Sequence, residues 1–158
     1  MIFFRLDERL THGQVVTNWI HFLGVTHIVV ADDGAAEDEL QKSLLKMSVP
    51  AELKFVVVDI EKAISILSDK RCEDRRILAI CSNPRDSYRI ISAVEAIEDV
   101  NLANYGFMLK ADVPDKRMIT SNLAVDEEDL DYIRKIQAKV KNTYCQVLSS
   151  QPKKPIIY

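Results

Sequence analysis

The feature that most constrains the fold of this chain is a regular alternation between short apolar runs and stretches of helical spacing. The apolar runs have the length of buried strands, and apolar residues recurring every three or four positions follow most of them. Strands that alternate with helices through short connections are typical of a mostly parallel sheet covered on both faces. The predicted strands are residues 1–4, 27–31, 53–58, 77–81, 101–109 and 118–125.

The stretches of helical spacing predict the helices that cover this sheet. The first begins after residue 12, and further helices are predicted over residues 35–47, 60–67, 84–97 and 127–141. In the second of them, the residues expected to face inward are Leu40, Leu44, Leu45 and Met47. Residues 144–148 predict an antiparallel strand at the edge of the sheet. We therefore expect residues 1–158 to form one α/β domain, with an open, mostly parallel sheet and helices on both faces.

Composition restricts the classes of protein to which the chain can belong. With 158 residues, 47% of them hydrophobic and 28% charged, a folded domain is expected and disorder is not. A net charge of −3 argues against nucleic acid as a partner. We expect neither a signal peptide nor a membrane span, since no apolar stretch approaches the roughly 20 residues that a span requires. The chain has an odd number of cysteines, without the spacing of metal ligands: Cys72, Cys81 and Cys145. This pattern predicts reduced thiols in a cytoplasmic protein.

Residues 5–15, with the sequence RLDERLTHGQV, place an imidazole and two guanidinium groups between the first strand and the first helix. His12 lies on the loop that opens the helix, where free backbone N–H groups and the helix dipole favour an anion. An imidazole nitrogen can act as a nucleophile, so a histidine at an anion site predicts a phosphohistidine. The phosphoryl group would carry close to two negative charges, and Arg9 offers a planar fork of donors for it.

The neighbouring residues supply the remaining parts of this predicted site. Gly13 leaves room for backbone amides to approach the phosphoryl group, and Gln14 adds a neutral donor in the first helical turn. Asp7 is expected to orient the imidazole by accepting the proton of its other ring nitrogen. Arg5 has two interpretations, as a phosphate-binding residue or as a surface ion-pair partner of Asp7 or Glu8.

The segment Arg5 to Val15 resembles the active-site stretch of the IIB components of the bacterial phosphotransferase system, in the mannose/fructose/sorbose class. The resemblance extends to Trp19, to residues 29–33 at the end of the second strand, and to residues 44–47 before Pro50. Thr11 departs from it, since the family usually has an aliphatic residue there. Residues 101–106 are also a loose version of a stretch that is usually richer in glycine.

This resemblance implies an α/β phosphocarrier in which His12 is phosphorylated, on the ring nitrogen nearer the backbone. The donor would be the phosphohistidine of a IIA domain, and the acceptor a sugar that enters through membrane subunits, the IIC and IID components. It further implies a cytoplasmic protein that reaches the inner face of the membrane through those subunits. No metal or other cofactor is expected, since His21 and His27 show no ligand spacing with His12.

Other polar residues at the strand ends have structural interpretations beside the functional ones. Asp32 and Asp33 follow the second strand, so they should share a rim with the His12 loop, where one carboxylate could order Arg9. They equally predict a turn and a helix start before Gly34. Asn83 could join the same rim, although a helix start with Pro84 in the first turn is favoured. Trp19 is expected to be a core residue.

Two alternative functions remain open from the sequence. A receiver-like signalling domain, phosphorylated on aspartate with bound magnesium, would use the pair Asp32 and Asp33 together with Asp59 and Lys110. A receiver domain would have its acidic pair after the first strand, whereas here the pair follows the second. That alternative also leaves the residues around His12 unexplained. A regulatory relative that is not coupled to transport is also compatible with a working histidine. The apolar residues 156–158 could contribute a contact in a homo-oligomer.

Overall fold

The computed structural model describes residues 1–108 and 116–158, within which eight strands and six α-helices form. The strands are β1 (Ile2–Asp7), β2 (His27–Ala31), β3 (Lys54–Val58), β4 (Ile77–Cys81), β5 (Asp99–Asn104), β6 (Arg117–Thr120), β7 (Leu123–Val125) and β8 (Asn142–Tyr144). The helices are α1 (Gly13–Leu23), α2 (Asp33–Ala36), α3 (Glu39–Met47), α4 (Ile60–Leu67), α5 (Pro84–Ala93) and α6 (Glu127–Lys139). A short 3-10 helix spans Lys70–Cys72.

Six of the strands form one sheet, in the order β3-β2-β4-β1-β5-β8, and every neighbouring pair in it is parallel. The central strand is β1, where Phe4 lies opposite Ala79 of β4 and Val100 of β5. The chain leaves β1 towards β2 on one side, whereas it leaves β5 towards β8 on the other. In open parallel sheets, ligands bind beyond the carboxyl ends of such diverging strands. The loop that carries His12 therefore begins at the favoured position.

Each face of the sheet is covered by helices that bury an apolar stripe. On one face, α1 contributes Val16, Trp19 and Ile20 to a cluster that also contains Leu45 of α3. On the other face, α4, α5 and α6 pack together, and their buried residues include Ile60, Ala63, Ile90, Ile91, Leu130 and Ile133. The prediction of an α/β fold with a parallel sheet and helices on both faces is confirmed.

The edge of the sheet differs from the prediction. The strand β8 corresponds to the edge strand predicted over residues 144–148, but it is shorter and begins two residues earlier. It pairs with β5 in parallel, with Asp99 opposite Asn142. The antiparallel assignment was wrong because β8 follows α6, a helix of 13 residues that carries the chain back along the sheet. Within the described residues, the antiparallel strand pair is the separate one formed by β6 and β7.

The predicted helix over residues 35–47 is two helices. The side chain of Asp38 accepts a hydrogen bond from the backbone N–H of Gln41, and this cap starts α3 anew. Leu45 is buried as predicted, but three other residues expected to face inward are exposed: Leu40 by 71%, Leu44 by 57% and Met47 by 82%. Because α3 lies beside the edge strand β3, the sheet covers only a narrow side of it.

The remaining bounds match the prediction to different degrees. The strands β2 and β4 and the helix α4 have their predicted bounds, whereas α5 ends at Ala93 and α6 at Lys139. The predicted strand over 118–125 is split into β6 and β7. The predicted strand over 101–109 corresponds to β5, and its last residue, 109, lies outside the described residues.

Two features bear on contacts with other molecules. Every helix in the described ranges is too short or too polar to cross a bilayer. At the end of the chain, Ile156 is buried in the core and the Tyr158 hydroxyl donates to Gln137 of α6. A contact between copies of the chain through residues 156–158 stays a prediction.

Candidate active site

His12 is the residue that starts α1, and its side chain is exposed. Its backbone is extended, with φ −131° and ψ 100°, and its carbonyl accepts the first helical hydrogen bonds, from Val15 and Val16. The imidazole does not cap the helix, because no side-chain hydrogen bond reaches the first turn. The ring is therefore open to an incoming group at the positive end of the helix dipole.

The backbone around His12 is held in an unusual conformation on both sides. Leu10 has φ 60° although it is not a glycine, and its side chain is buried beside α1. Gly13 has φ 44°, a left-handed value that residues with a Cβ adopt at a cost of about 1–2 kcal/mol. Such strained backbone concentrates at functional sites and switch regions. Gly13 thus allows the left-handed backbone of this turn, in addition to its predicted role of leaving the backbone amides accessible.

The first turn of α1 leaves backbone donors for an anion. The initial N–H groups of any helix lack helical partners. In the described part of the chain, no hydrogen bond engages the N–H groups of His12, Gly13 or Gln14. The Gln14 side chain is exposed beside them, as the prediction of a neutral donor requires. This end of α1 can receive an anion without first releasing a carboxylate of its own, since its first turn is free of acidic residues.

Asp7 holds Arg9 instead of the imidazole. Its carboxylate is 1% exposed, and Arg9 donates to it from Nε at 3.0 Å, from Nη2 at 2.9 Å and from the backbone N–H at 3.1 Å. Among the described contacts of Asp7, none involves His12, so the predicted triad-like orientation is not present. Hydrogen bonding to Asp7 raises the pKa of Arg9, which keeps its guanidinium charged and fixed next to the loop. A quarter of the Arg9 side chain remains exposed.

Arg5 is a buried residue that forms the predicted ion pair with Asp7, but inside the protein and not at its surface. Its side chain is 5% exposed and donates to Asp7 Oδ2 at 3.0 Å and to the carbonyls of Gln146 and Val147. It also stacks over the Trp19 ring at 5.4 Å, and the indole N–H of Trp19 donates to the same Val147 carbonyl. Arg5 does pair with Asp7, but inside the protein, where burial lowers its pKa. The Arg5 side chain therefore holds the Asp7 carboxylate from inside the protein, and it is not exposed beside His12.

Asp32 and Asp33 act as helix-starting residues. Asp32 caps α2 through the N–H of Ala35 and accepts from the Ser82 hydroxyl at 2.6 Å. Asp33 accepts from the N–H of Ile60. Neither carboxylate contacts Arg9 among the described residues, so the turn and helix-start interpretation is the one confirmed.

The other candidates at this rim are structural as well. Asn83 caps α5 with Pro84 in the first turn, and Trp19 is 4% exposed, as predicted for both. Asp59, another carboxylate of the receiver alternative, caps α4. Lys110, the cation of that alternative, lies outside the described residues.

Glu8 has a role at this rim that the sequence reasoning missed. Its carboxylate accepts three backbone N–H groups from the loop after β5, those of Gly106 at 3.1 Å, Phe107 at 2.8 Å and Met108 at 3.1 Å. Gly106 is required there, since a Cβ would lie 2.0 Å from the Ala124 carbonyl oxygen. The contacts join segments about 100 residues apart. The one sequence signal was the glycine at position 106, inside the predicted strand over residues 101–109.

Comparison of the sequence with known proteins assigns the chain to a family. The family described as the PTS system sorbose subfamily IIB component matches residues 1–156. A probable phosphotransferase enzyme IIB component of Streptococcus pyogenes is 34% identical over 150 residues, which cover 94% of this chain and 92% of that protein. The mannose-specific EIIAB component of Escherichia coli is 30% identical over 149 residues, and the match spans 45% of that longer protein.

Solved structures give the same assignment. The IIB domain of the sorbose permease from Klebsiella pneumoniae superposes with a TM-score of 0.87 at 26% identity, covering 99% of this chain and 93% of that one. The N-acetylgalactosamine-specific IIB component 1 of Escherichia coli also gives 0.87, at 29% identity, covering 99% and 100%. The receiver alternative is not favoured by any of these matches. The chain therefore belongs to the sorbose subfamily of phosphotransferase-system IIB components and is a phosphocarrier of a sugar phosphotransferase system.

Proposed function

We propose that His12 is the residue that carries the phosphoryl group. The observation that supports this most directly is an exposed imidazole at the start of α1, next to an arginine that a buried carboxylate holds in place. In the transfer, the P–N bond of a donor phosphohistidine breaks as a bond forms between phosphorus and a ring nitrogen of His12. We assign that nitrogen to Nδ1, the one nearer the backbone. The donor imidazole leaves with the electron pair of the broken bond.

Arg9, Gly13 and Gln14 bind the transferred group in this proposal. Arg9 supplies a charged fork of donors whose orientation is set by Asp7, and the first-turn N–H groups supply neutral ones. Arg5 acts indirectly, because it neutralises and fixes Asp7. Phosphoryl transfer requires positioning and charge stabilisation more than covalent assistance, so these groups suffice. Contributions of about 0.3–1 kcal/mol from the helix end suit a carrier that must also release its cargo.

The finer assignment is a protein-Nπ-phosphohistidine–sugar phosphotransferase, with residues 1–158 acting as one carrier domain. Its donor is a IIA phosphohistidine domain, and its acceptor is a sugar bound by membrane IIC and IID subunits. This is supported by the relatives, one of which is named a mannose-specific EIIAB component and another a sorbose-specific EIIB component. We place the protein in the cytoplasm, at the inner face of the membrane while it contacts those subunits.

Phosphorylation of the His12→Ala variant tests the proposal. The variant should fold as the unaltered chain does, since His12 is exposed and makes no side-chain cap. It should accept no label from a phosphorylated IIA donor. The label on the unaltered chain should be lost in acid and kept in base, the behaviour of a phosphohistidine, whereas an aspartyl phosphate is labile in base. A His12→Ala variant that is still labelled would move the acceptor elsewhere, and an Asp32→Asn, Asp33→Asn, Asp59→Asn variant would then test the receiver chemistry.

A further inference from the structure

The exposed apolar stripe of α3 is the feature that the mechanism leaves unused. Leu40, Leu44 and Met47 stand at positions i, i+4 and i+7, so their side chains follow one line along the helix surface. They are exposed by 71%, 57% and 82%. Large apolar side chains exposed singly are ordinary, but a continuous row of them marks an interaction surface.

The stripe lies beside the His12 loop, because α3 is fastened to that loop. Thr11 is buried, and its hydroxyl donates to the carbonyl of Leu45 at 3.0 Å. Leu10 and Leu45 also belong to the same apolar cluster. This contact gives a reason for the hydroxyl residue at position 11. The last turn of α3 is therefore packed against the residues that come directly before His12.

The stripe also faces away from the edge of the sheet. The side of α3 that contains Glu39, Lys42, Ser43 and Lys46 lines a shallow cavity of about 250 Å³ with Phe55 and Val57 of β3. With 3.6 residues per turn, the stripe is rotated by roughly 120° from the middle of that side and by roughly 130° from the buried Leu45. Its apolar side chains are thus directed to solvent, at the margin of α3 that is not occupied by β3.

The chemistry of the proposed function identifies the occupant. A donor protein must bring its phosphohistidine into contact with His12, and even a transient protein–protein contact buries about 600 Å² on each partner. The exposed imidazole and its loop supply only part of that area. The donor also arrives with close to two negative charges, and Arg9, one-quarter exposed, offers a positive charge in the same loop as His12. The neutral sugar acceptor has no such need of cations.

We propose that the stripe formed by Leu40, Leu44 and Met47 is the docking surface for the IIA phosphohistidine donor. This inference rests on the proposed function, because it assumes that His12 receives its phosphoryl group from such a protein. The stripe supplies apolar contact area at the margin of the site, and Arg9 supplies charge complementarity within it. Leu44 is the central residue of the stripe, where a substitution should weaken docking most.

The Leu44→Asp variant tests the surface with two donors. With the purified phosphorylated IIA protein, the KM for phosphorylation of His12 should rise about tenfold or more while kcat changes less than about twofold. With phosphoramidate, a small donor that needs no docking surface, the rate should equal that of the unaltered chain. Met47→Asp should likewise raise the KM for the IIA donor and leave the rate with phosphoramidate unchanged. Ser65→Asp is the matched control, since it adds the same charge at an exposed position of α4, on the other face of the sheet, and should leave both rates unchanged.

Three results would overturn the inference. The first is an unchanged KM for the IIA donor in Leu44→Asp and Met47→Asp. The second is an equal slowing with phosphoramidate, which would mean a damaged site and not a lost docking surface. The third is normal charging from the donor with slow transfer onward to vesicles that contain the membrane subunits, which would assign the stripe to those subunits. A labelled His12→Ala protein would instead refute the proposed function, whatever the stripe variants do.

Discussion

The buried carboxylate of Asp7 should be the most costly charge to remove from this protein. It is 1% exposed and accepts from Arg5 Nη2 and from three groups of Arg9 at 2.9–3.1 Å. Asp7→Asn keeps the shape but leaves the Arg5 guanidinium, 5% exposed, without its counter-charge. Breaking a buried pair by removing one partner costs about 3–5 kcal/mol. Because Arg9 is one-quarter exposed and can regain water, we expect a loss near the lower end, about 3–4 kcal/mol.

Urea denaturation followed by circular dichroism measures this loss, and the melting temperature should fall by about 6–16 °C. Arg9→Ala is the control, because it leaves the buried pair of Arg5 and Asp7 intact. It should cost only about 1–2 kcal/mol, yet slow phosphoryl transfer more strongly than that cost implies. A free energy of unfolding for Asp7→Asn within about 1 kcal/mol of the unaltered chain would refute the reasoning. So would an equal cost of the two variants.

Two further predictions concern backbone strain and thiol reactivity. Gly13→Ala should lower the free energy of unfolding by about 1–2 kcal/mol, since φ is 44° and an added Cβ meets nothing within 4 Å; a neutral effect would contradict the left-handed geometry. Burial raises the pKa of Cys81 to about 11, so near neutral pH its thiolate is scarce and alkylation followed by mass spectrometry should modify the partly exposed Cys72 first. Modification of Cys81 before Cys72 in the folded protein would refute this.

The central strands and the histidine could be predicted because their signals are local. A run such as residues 77–81 is apolar throughout, and β4 is buried along its whole length between β2 and β1. The position of His12 between β1 and α1 is as predicted, since the order of elements along the chain alone supplies it. In such segments the sequence pattern and the packing agree, so no long-range information is needed.

The roles of Arg5 and Asp7 could not be predicted because they depend on distant parts of the chain. Arg5 donates to carbonyls at residues 146 and 147, more than 140 positions away, and that segment covers the side chain. Without this cover, Arg5 could equally have faced the phosphate site. Asp7 was expected to reach His12, but Arg9 lies only two positions along the chain and binds its carboxylate from three atoms.

The failure at α3 has a different physical cause. Helical spacing identifies an apolar face but not whether anything covers it. Leu45 is buried against the sheet and α1, whereas Leu40, Leu44 and Met47 are exposed. An apolar stripe on a helix that packs at the edge of a sheet is therefore as compatible with a binding surface as with a core.

Glu8 gives the rim of this site a fixed width. By accepting N–H groups from Gly106, Phe107 and Met108, it closes the gap between the loop after β1 and the loop after β5, beyond the ends of these paired strands. Widening that gap would require three charge-assisted hydrogen bonds to break together. The phosphoryl group that we propose for His12 would therefore enter and leave from the solvent side, because Glu8 holds these two loops together.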